Sequence, residues 1–136
     1  MLTIEKWNCE GKVSRIEDWE RANQYLSIAN RLAPWDADIL LNLGKLQEWK
    51  LASKSLWNDK AEDVRGKAIN YYEQALEQRP TWANAWVNLA QTMLLNRQVN
   101  DKTYHAIEMG FLYGEQKPEL REKLIWLSVG LWKYVP

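Results

Sequence analysis

The chain repeats itself, and this internal repetition constrains the fold more than any other feature of the sequence. When the sequence is shifted by 46 residues, ERANQYLSIANRLAPWDADILLNLG falls on GKAINYYEQALEQRPTWANAWVNLA. A weaker third copy reads YHAIEMGFLYGEQKPELREKLIWLS. In all three copies the first alanine, at position 22, 68 or 106, stands twelve residues before the proline. Repetition at this spacing predicts an array of similar structural modules.

Each copy reads as a helix, a proline turn and a second helix. In the first copy Trp19, Ala22 and Leu26 recur at spacings of three and four, which places them on one helix face. Pro34 cannot continue that helix and biases the residue before it away from helical angles. No segment shows the alternation of a strand, so we predict an all-α fold. The predicted helices span residues 15–32, 36–54, 62–78, 82–96, 101–115 and 118–134.

The charge and length of the chain limit its class of function. Its 136 residues include 18 basic and 18 acidic side chains, whereas a protein that binds phosphate backbones usually has a basic excess. We therefore predict no nucleic-acid partner. No apolar run approaches the roughly 20 residues that cross a bilayer, so we expect no membrane contact by this segment itself. We predict an N-terminal extension over 1–14 and one domain over 15–136, with an insertion at about 50–65.

The middle copy resembles the tetratricopeptide repeat. In that family one helix carries Trp, then Leu-Gly, then an aromatic residue, and its partner carries Ala, an aromatic residue, Ala and a closing Pro. The resemblance implies a right-handed superhelix of about three antiparallel helix pairs. In the third copy, Gly110 and Tyr113 depart from the pattern. The matching residues are Trp86 and Leu89-Ala90 in ANAWVNLAQTM, together with Ala68, Tyr72, Ala75 and Pro80.

A second resemblance is to the VpsP family of bacterial exopolysaccharide-biosynthesis proteins. It is carried by the insertion before GKAINYYEQALEQRP, the stretch LQEWKLA and the terminal IWLSVGLWKYVP. In that family a membrane anchor precedes a small helical-repeat domain. The resemblance implies a location on the periplasmic side of the inner membrane, with an anchor upstream of the first residue. The alternative is a cytoplasmic chaperone-adaptor.

Candidate catalytic residues are few. His105 is the only histidine and has no nearby cysteine, so the ligand spacing of a zinc site is missing. Gly66-Lys67 lacks the earlier glycine and the following Ser or Thr of a phosphate-binding loop. Asp36 and Asp38 suit the N-terminus of a helix. We therefore predict a protein that is not an enzyme and has no metal site and no cofactor.

The family resemblance implies a groove that is lined by the first helices of the repeats and receives a peptide segment of a protein partner. Lys45 is its only basic residue, which disfavours a clamp for a C-terminal carboxylate. The implied groove residues are Asp38, Leu41, Lys45, Glu48, Asn84, Val87, Gln91, Leu94, Glu122 and Ile125, with Val129 beside them.

Seven of the nine tryptophans fall into two groups. Four lie on or near apolar stripes, and we predict that they pack in the core: Trp19, Trp49, Trp86 and Trp126. Three others are candidates for exposed aromatic contacts with a sugar or a protein: Trp35, Trp57 and Trp82. For the two that follow the turn prolines, Trp35 and Trp82, the alternative is that they wedge between adjacent turns.

The terminal helix has little polar surface, and this leads to the functional prediction. We expect it either to be covered by the preceding repeat or to form an interface with a partner or in a homodimer. The predicted function is a non-catalytic protein-interaction scaffold in exopolysaccharide biosynthesis or export. The alternative is a carbohydrate-binding module that uses the exposed tryptophans. The apolar residues of the helix are Leu124, Ile125, Trp126, Leu127, Val129, Leu131 and Trp132.

Overall fold

The computed structural model describes residues 16–52, 61–114 and 116–132. All regular secondary structure in these ranges is helical, which confirms the all-α class. The helices are α1 (Ile16–Leu32), α2 (Ala37–Ala52), α3 (Ala61–Gln78), α4 (Ala83–Leu95), α5 (Asp101–Gly114) and α6 (Pro118–Trp132).

Side-chain caps start two of the helices close to where the sequence predicts them. The Asp36 carboxylate accepts a hydrogen bond of 3.0 Å from the backbone N–H of Asp38, ahead of α2. The Asn100 side-chain oxygen accepts bonds from the N–H groups of Lys102, at 3.0 Å, and Thr103, at 3.3 Å, ahead of α5. Each cap satisfies amide donors that have no partner within the helix. Asp36 is therefore a capping residue, as predicted.

The end of α4 is set by a left-handed backbone. Arg97 has φ 58°, a conformation that side chains other than glycine rarely adopt. Its N–H donates to the carbonyl of Leu94 at 3.0 Å, and the N–H of Gln98 donates to Met93 at 2.8 Å. These bonds satisfy carbonyls of the last turn and end the helix.

The chain divides into two compact units, residues 1–78 and 79–136. The first contains α1, α2 and α3, and α2 packs against both of the others. The second contains α4, α5 and α6, and each of these helices packs against the other two. The predicted extension over 1–14 and half of the predicted insertion, residues 53–60, lie outside the described residues. The single domain over 15–136 stays a prediction.

Trp19 joins α1 to α2 in the first unit. Its buried indole N–H donates to the backbone carbonyl of Leu46 at 2.7 Å, and its ring packs with Ala22 and Leu46. The Lys50 ammonium lies 4.2 Å from the centroid of the same ring, a cation–π distance. Trp49 is partly buried against this cluster. The core prediction is therefore confirmed for Trp19, and Trp49 packs at the edge of the core.

The tightest contact in the first unit joins Gly44 of α2 to Tyr72 of α3. A Cβ atom on Gly44 would lie 2.5 Å from Cε1 and 2.8 Å from Cδ1 of the Tyr72 ring. Real Cβ atoms do not come so close to other atoms, so only glycine allows α2 to reach the ring. Tyr72 is completely buried. The small residue of the Leu-Gly pair is therefore explained by an aromatic ring that occupies the place of a side chain.

A second notch of this kind lies between α5 and α6. A Cβ atom on Gly110 would lie 2.7 Å from Cδ2 of Leu124 and 3.3 Å from Cγ2 of Val87. Leu124 is fully buried in this position. The departure of the third copy from the family pattern at Gly110 thus makes room for a leucine of the terminal helix.

None of the described helices is both long enough and apolar enough to span a membrane.

Substituting Gly44 by alanine should lower the free energy of unfolding by about 1–3 kcal/mol, because the new methyl group overlaps a buried aromatic ring. Gly66→Ala is the matched control, since a Cβ atom there meets nothing within 4 Å. The control should be neutral or stabilising by up to about 1 kcal/mol, because alanine is the better helix former. Denaturant titrations measure both changes. Equal stability of the two variants would contradict the assigned contact between α2 and α3.

Candidate functional site

The predicted groove residues of the first unit do not form one open surface. Asp38 is exposed and Lys45 is half-buried, but Leu41 is buried in the core. The prediction of Leu41 as a groove residue is therefore wrong. Because α2 packs against both α1 and α3, more of its surface is covered than one apolar stripe would require.

Glu48, another predicted groove residue, interacts with the core. Its carboxylate accepts a hydrogen bond of 2.5 Å from the Tyr72 hydroxyl, which joins α2 to α3 beside the Gly44 contact. Burial raises the pKa of Tyr72 well above its ordinary value of 10.0, and the charge of Glu48 and the hydrogen bond raise it further. Glu48 thus stabilises the helix pair from its half-buried position.

The predicted groove residues of the second unit divide in a similar way. Val87 is buried against the Gly110 notch, so its prediction as a groove residue is wrong. Glu122 and Ile125 are exposed on α6. The remaining three are half-buried on α4: Asn84, Gln91 and Leu94.

The structure corrects the prediction for the tryptophans around the second proline. Trp82 is only 9% exposed, so it is wrong as an exposed aromatic. It is the residue before α4 and has an extended backbone with φ −83° and ψ 100°. The Arg79 guanidinium lies 4.5 Å from the centroid of its ring. Trp82 occupies the N-cap position of α4 but makes no side-chain cap hydrogen bond. Its cation–π contact and its burial explain why a tryptophan is found there.

Trp86, predicted in the core, is only half-buried. Its indole N–H donates to the carbonyl of Pro80 at 2.7 Å, so the side chain folds back over the turn that precedes its helix. The ring also meets His105 edge to face, with the centroids 5.3 Å apart. The only histidine of the chain therefore packs against an aromatic ring.

Each of the two units has one exposed tryptophan among its described residues. Trp35 is exposed, as predicted. Trp126 is 69% exposed, so its prediction as a core residue is wrong. On α6 the inward position is taken by Leu124, and Trp126 lies two residues further round the helix, on another side. Trp57 and the side chain of Trp132 lie outside the described residues.

The second unit has an exposed apolar surface that we call the α5–α6 face, defined as Phe111 and Leu112 of α5 with Ile125, Trp126 and Val129 of α6. All five side chains are exposed. The buried Leu124 lies beside Phe111, Leu112 and Ile125, whereas Trp126 lies at the outer edge of the face. Three of the five exposed side chains and Ser128 line one open depression, and Phe111, Leu112 and Ile125 line a second. Glu108 and Arg121 also line the second depression and make one end of the face polar.

The hydroxyl of Ser128, which lines the apolar end of the face, is already used in a hydrogen bond. Ser128 donates its hydroxyl hydrogen to the carbonyl of Leu124 at 2.9 Å, which is a bond within its own helix. The surface around Phe111, Ile125 and Val129 is therefore apolar even where Ser128 lines it. It suits hydrocarbon side chains rather than a polar ligand.

Phe111 and Leu112 were not among the predicted site residues. The run Phe111-Leu112-Tyr113 could have indicated that some large residues of α5 are exposed. Three consecutive residues cannot all lie on the same buried stripe of a helix. In the part of the chain that the structure describes, no group of three or more His, Cys, Asp and Glu side chains could hold a metal ion.

No protein-family model matches the chain, and no curated protein matches it. The resemblances to the tetratricopeptide and VpsP families stay predictions.

The raised pKa of Tyr72 predicts a loss of stability at alkaline pH. Above pH ~10 the unfolded chain loses the phenolic proton while the folded protein keeps it, so the free energy of unfolding falls as pH rises. Tyr72→Phe should cost about 1 kcal/mol near pH 8 and should weaken this decline. Urea titrations between pH ~8 and ~11 measure it.

Tyr25→Phe is the control, because it removes an exposed phenol. It should leave both the stability near neutral pH and its decline at alkaline pH unchanged. A Tyr72→Phe variant that loses stability as steeply as the wild type would show that this phenol is not responsible.

Proposed function

We propose that the protein is a non-catalytic protein–protein interaction module and that its partner binds the α5–α6 face. The observation that carries the proposal is the exposure of apolar side chains around two open depressions, with Trp126 also exposed on α6. The exposed residues that line the depressions are Phe111, Leu112, Ile125 and Val129. Exposed apolar patches of a few hundred Å² on soluble domains mark interaction sites. Trp126 is the residue type most enriched among the side chains that dominate binding energy.

The chemistry of the face defines the kind of partner segment that fits it. The centre, around Ile125 and Val129, takes aliphatic or aromatic side chains, while Glu108 and Arg121 offer both signs of charge at one end. An amphipathic helix that places its apolar stripe in the depressions meets both requirements. Burial of apolar surface supplies the binding energy, and the charged end supplies orientation.

We propose further that the helix pairs are tetratricopeptide-like repeats in a right-handed superhelix. Two contacts within single units support this: the glycine of the first Leu-Gly pair packs on a buried tyrosine, and Trp19 joins α1 to α2. The resemblance to the VpsP family extends the proposal to an accessory scaffold of bacterial exopolysaccharide biosynthesis or export. In that setting the domain lies on the periplasmic side of the inner membrane.

The carbohydrate-binding alternative has less support. Of its three tryptophans, Trp82 is buried and Trp57 lies outside the described residues, which leaves Trp35. A cytoplasmic chaperone-adaptor is the other alternative, and an upstream membrane anchor in the complete gene would exclude it.

Peptide selection tests the α5–α6 face and does not require an identified partner. A random-peptide phage library is selected on the wild-type protein and counter-selected on Ile125→Glu. We expect enriched peptides to carry two or more large apolar residues and to bind with micromolar affinity. Ile125→Glu should weaken their binding at least tenfold, because it places a carboxylate in the apolar depression.

Leu32→Glu is the matched control, since it makes the same kind of change at an exposed apolar residue of the first unit. It should bind the selected peptides like the wild type. A selection that enriches no peptide, or peptides that bind Ile125→Glu equally well, would refute the proposed face.

A further inference from the structure

The outer side of α1 carries an apolar stripe that continues into the turn after the helix. Tyr25, Ile28, Leu32 and Trp35 are 66%, 39%, 74% and 68% exposed. Their spacings of three, four and three place the first three on one side of the helix. The turn that holds Trp35 is fixed by a hydrogen bond of 3.0 Å from the N–H of Asp36 to the carbonyl of Ala33. The stripe is therefore a defined surface and not a frayed end.

The internal repeat provides a comparison for this stripe within the same chain. A shift of 46 residues carries α1 onto α3, which has the same fold and the same kind of turn after it. Only the tyrosine is the same in both helices, and the three other positions have polar side chains in α3 and its turn. The corresponding residues of α3 and its turn are Tyr71, Gln74, Gln78 and Thr81. The apolar character of the α1 stripe is thus not required by the repeat.

We propose that the α1 stripe pairs with the same stripe of a second copy of this chain, antiparallel about a two-fold axis. With a two-fold axis at position 30, an antiparallel pair places Ile28 of each copy opposite Leu32 of the other. Tyr25 then lies towards the end of the other copy's helix, where the turn that holds Trp35 begins. Such self-complementarity is what a two-fold interface requires, because the same patch serves on both sides.

The area of the stripe agrees with a weak dimer. The four side chains expose on the order of 500 Å² per copy, and pairing would bury about 1,000 Å² in total. That is the lower end of the range for specific interfaces, so we expect a dissociation constant of roughly 10–100 µM.

Charge opposes the pairing only beside the axis, where Arg31 of each copy approaches the same residue of the other. Glu20 and Arg21 give both signs of charge further along the exposed surface of α1. The whole chain has a formal net charge of zero, so two copies do not repel each other at long range. The stripe belongs to the first unit, and the pairing is independent of the partner proposed for the α5–α6 face in the second.

Sedimentation equilibrium over about 1 µM to 1 mM tests the pairing. The weight-average mass of the wild type should rise from that of the monomer towards twice that value. The double variant Ile28→Gln, Leu32→Gln gives α1 the residues of α3 at these positions, so it should fold. The dissociation constant of its dimer should be at least ten times that of the wild type. Ile125→Gln, Val129→Gln is the matched control on the α5–α6 face and should associate like the wild type.

Three results would overturn the pairing. One is a wild type that stays monomeric to 1 mM, which is also what intramolecular coverage of the stripe by residues 1–15 would produce. Another is a glutamine double variant of α1 that associates like the wild type. The third is loss of association in the α6 control, which would assign the dimer to the other face.

Spin labels test the antiparallel register. In a Cys9→Ser background, a label at position 31 lies beside the proposed axis, so the two copies should be close together. A label at position 20 lies ten residues from the axis. The two labels of an antiparallel pair would therefore be about 30 Å apart along the helices. Equal short distances at both positions would indicate a parallel pair and contradict the proposal. Circular dichroism confirms that the labelled variants remain helical.

Discussion

The close approach of Gly44 to the Tyr72 ring is the contact on which the first unit depends. A ring that lies 2.5 Å from the place of a Cβ atom fixes the distance between α2 and α3. The Glu48 carboxylate then fixes the direction of the ring through the hydroxyl at its far end. The Tyr72 side chain is thus held by the close contact of its ring with Gly44 and by the hydrogen bond of its hydroxyl to Glu48. The second unit uses Gly110 and Leu124 for the same purpose, with an aliphatic side chain that needs no polar partner.

The helices could be predicted from the sequence, since proline turns, caps and three-four spacing are local properties. The side that each tryptophan faces could not, because it depends on which helices cover the stripe. Leu41 and Val87 are buried because their helices have neighbours on more than one side. Trp82 is buried beside Arg79, a contact that no periodicity reveals. Trp126 shows the opposite error: an apolar helix does not bury all its apolar residues when its neighbours cover only one side.

Most of the exposed large apolar residues in the described ranges lie on α1 with the turn after it, on α5 and on α6. On α1, residues that are glutamine in α3 are replaced by isoleucine and leucine. On α6, Ser128 uses its hydroxyl within the helix and leaves the surrounding surface apolar. The glutamines of α3 show that the repeat itself does not need an apolar stripe at these positions of α1. Departure from the internal repeat therefore marks exposed apolar surface on α1.

The short sequence separation of the key contacts has a consequence for folding rate. Gly44 and Tyr72 are 28 residues apart, and Gly110 and Leu124 are 14 apart. Closing chain segments of this length costs little entropy, and helical domains dominated by local contacts fold in microseconds to milliseconds. The first unit contains all the residues of its tightest contact by position 78. It has what it needs to form on the ribosome before the second unit has been synthesised.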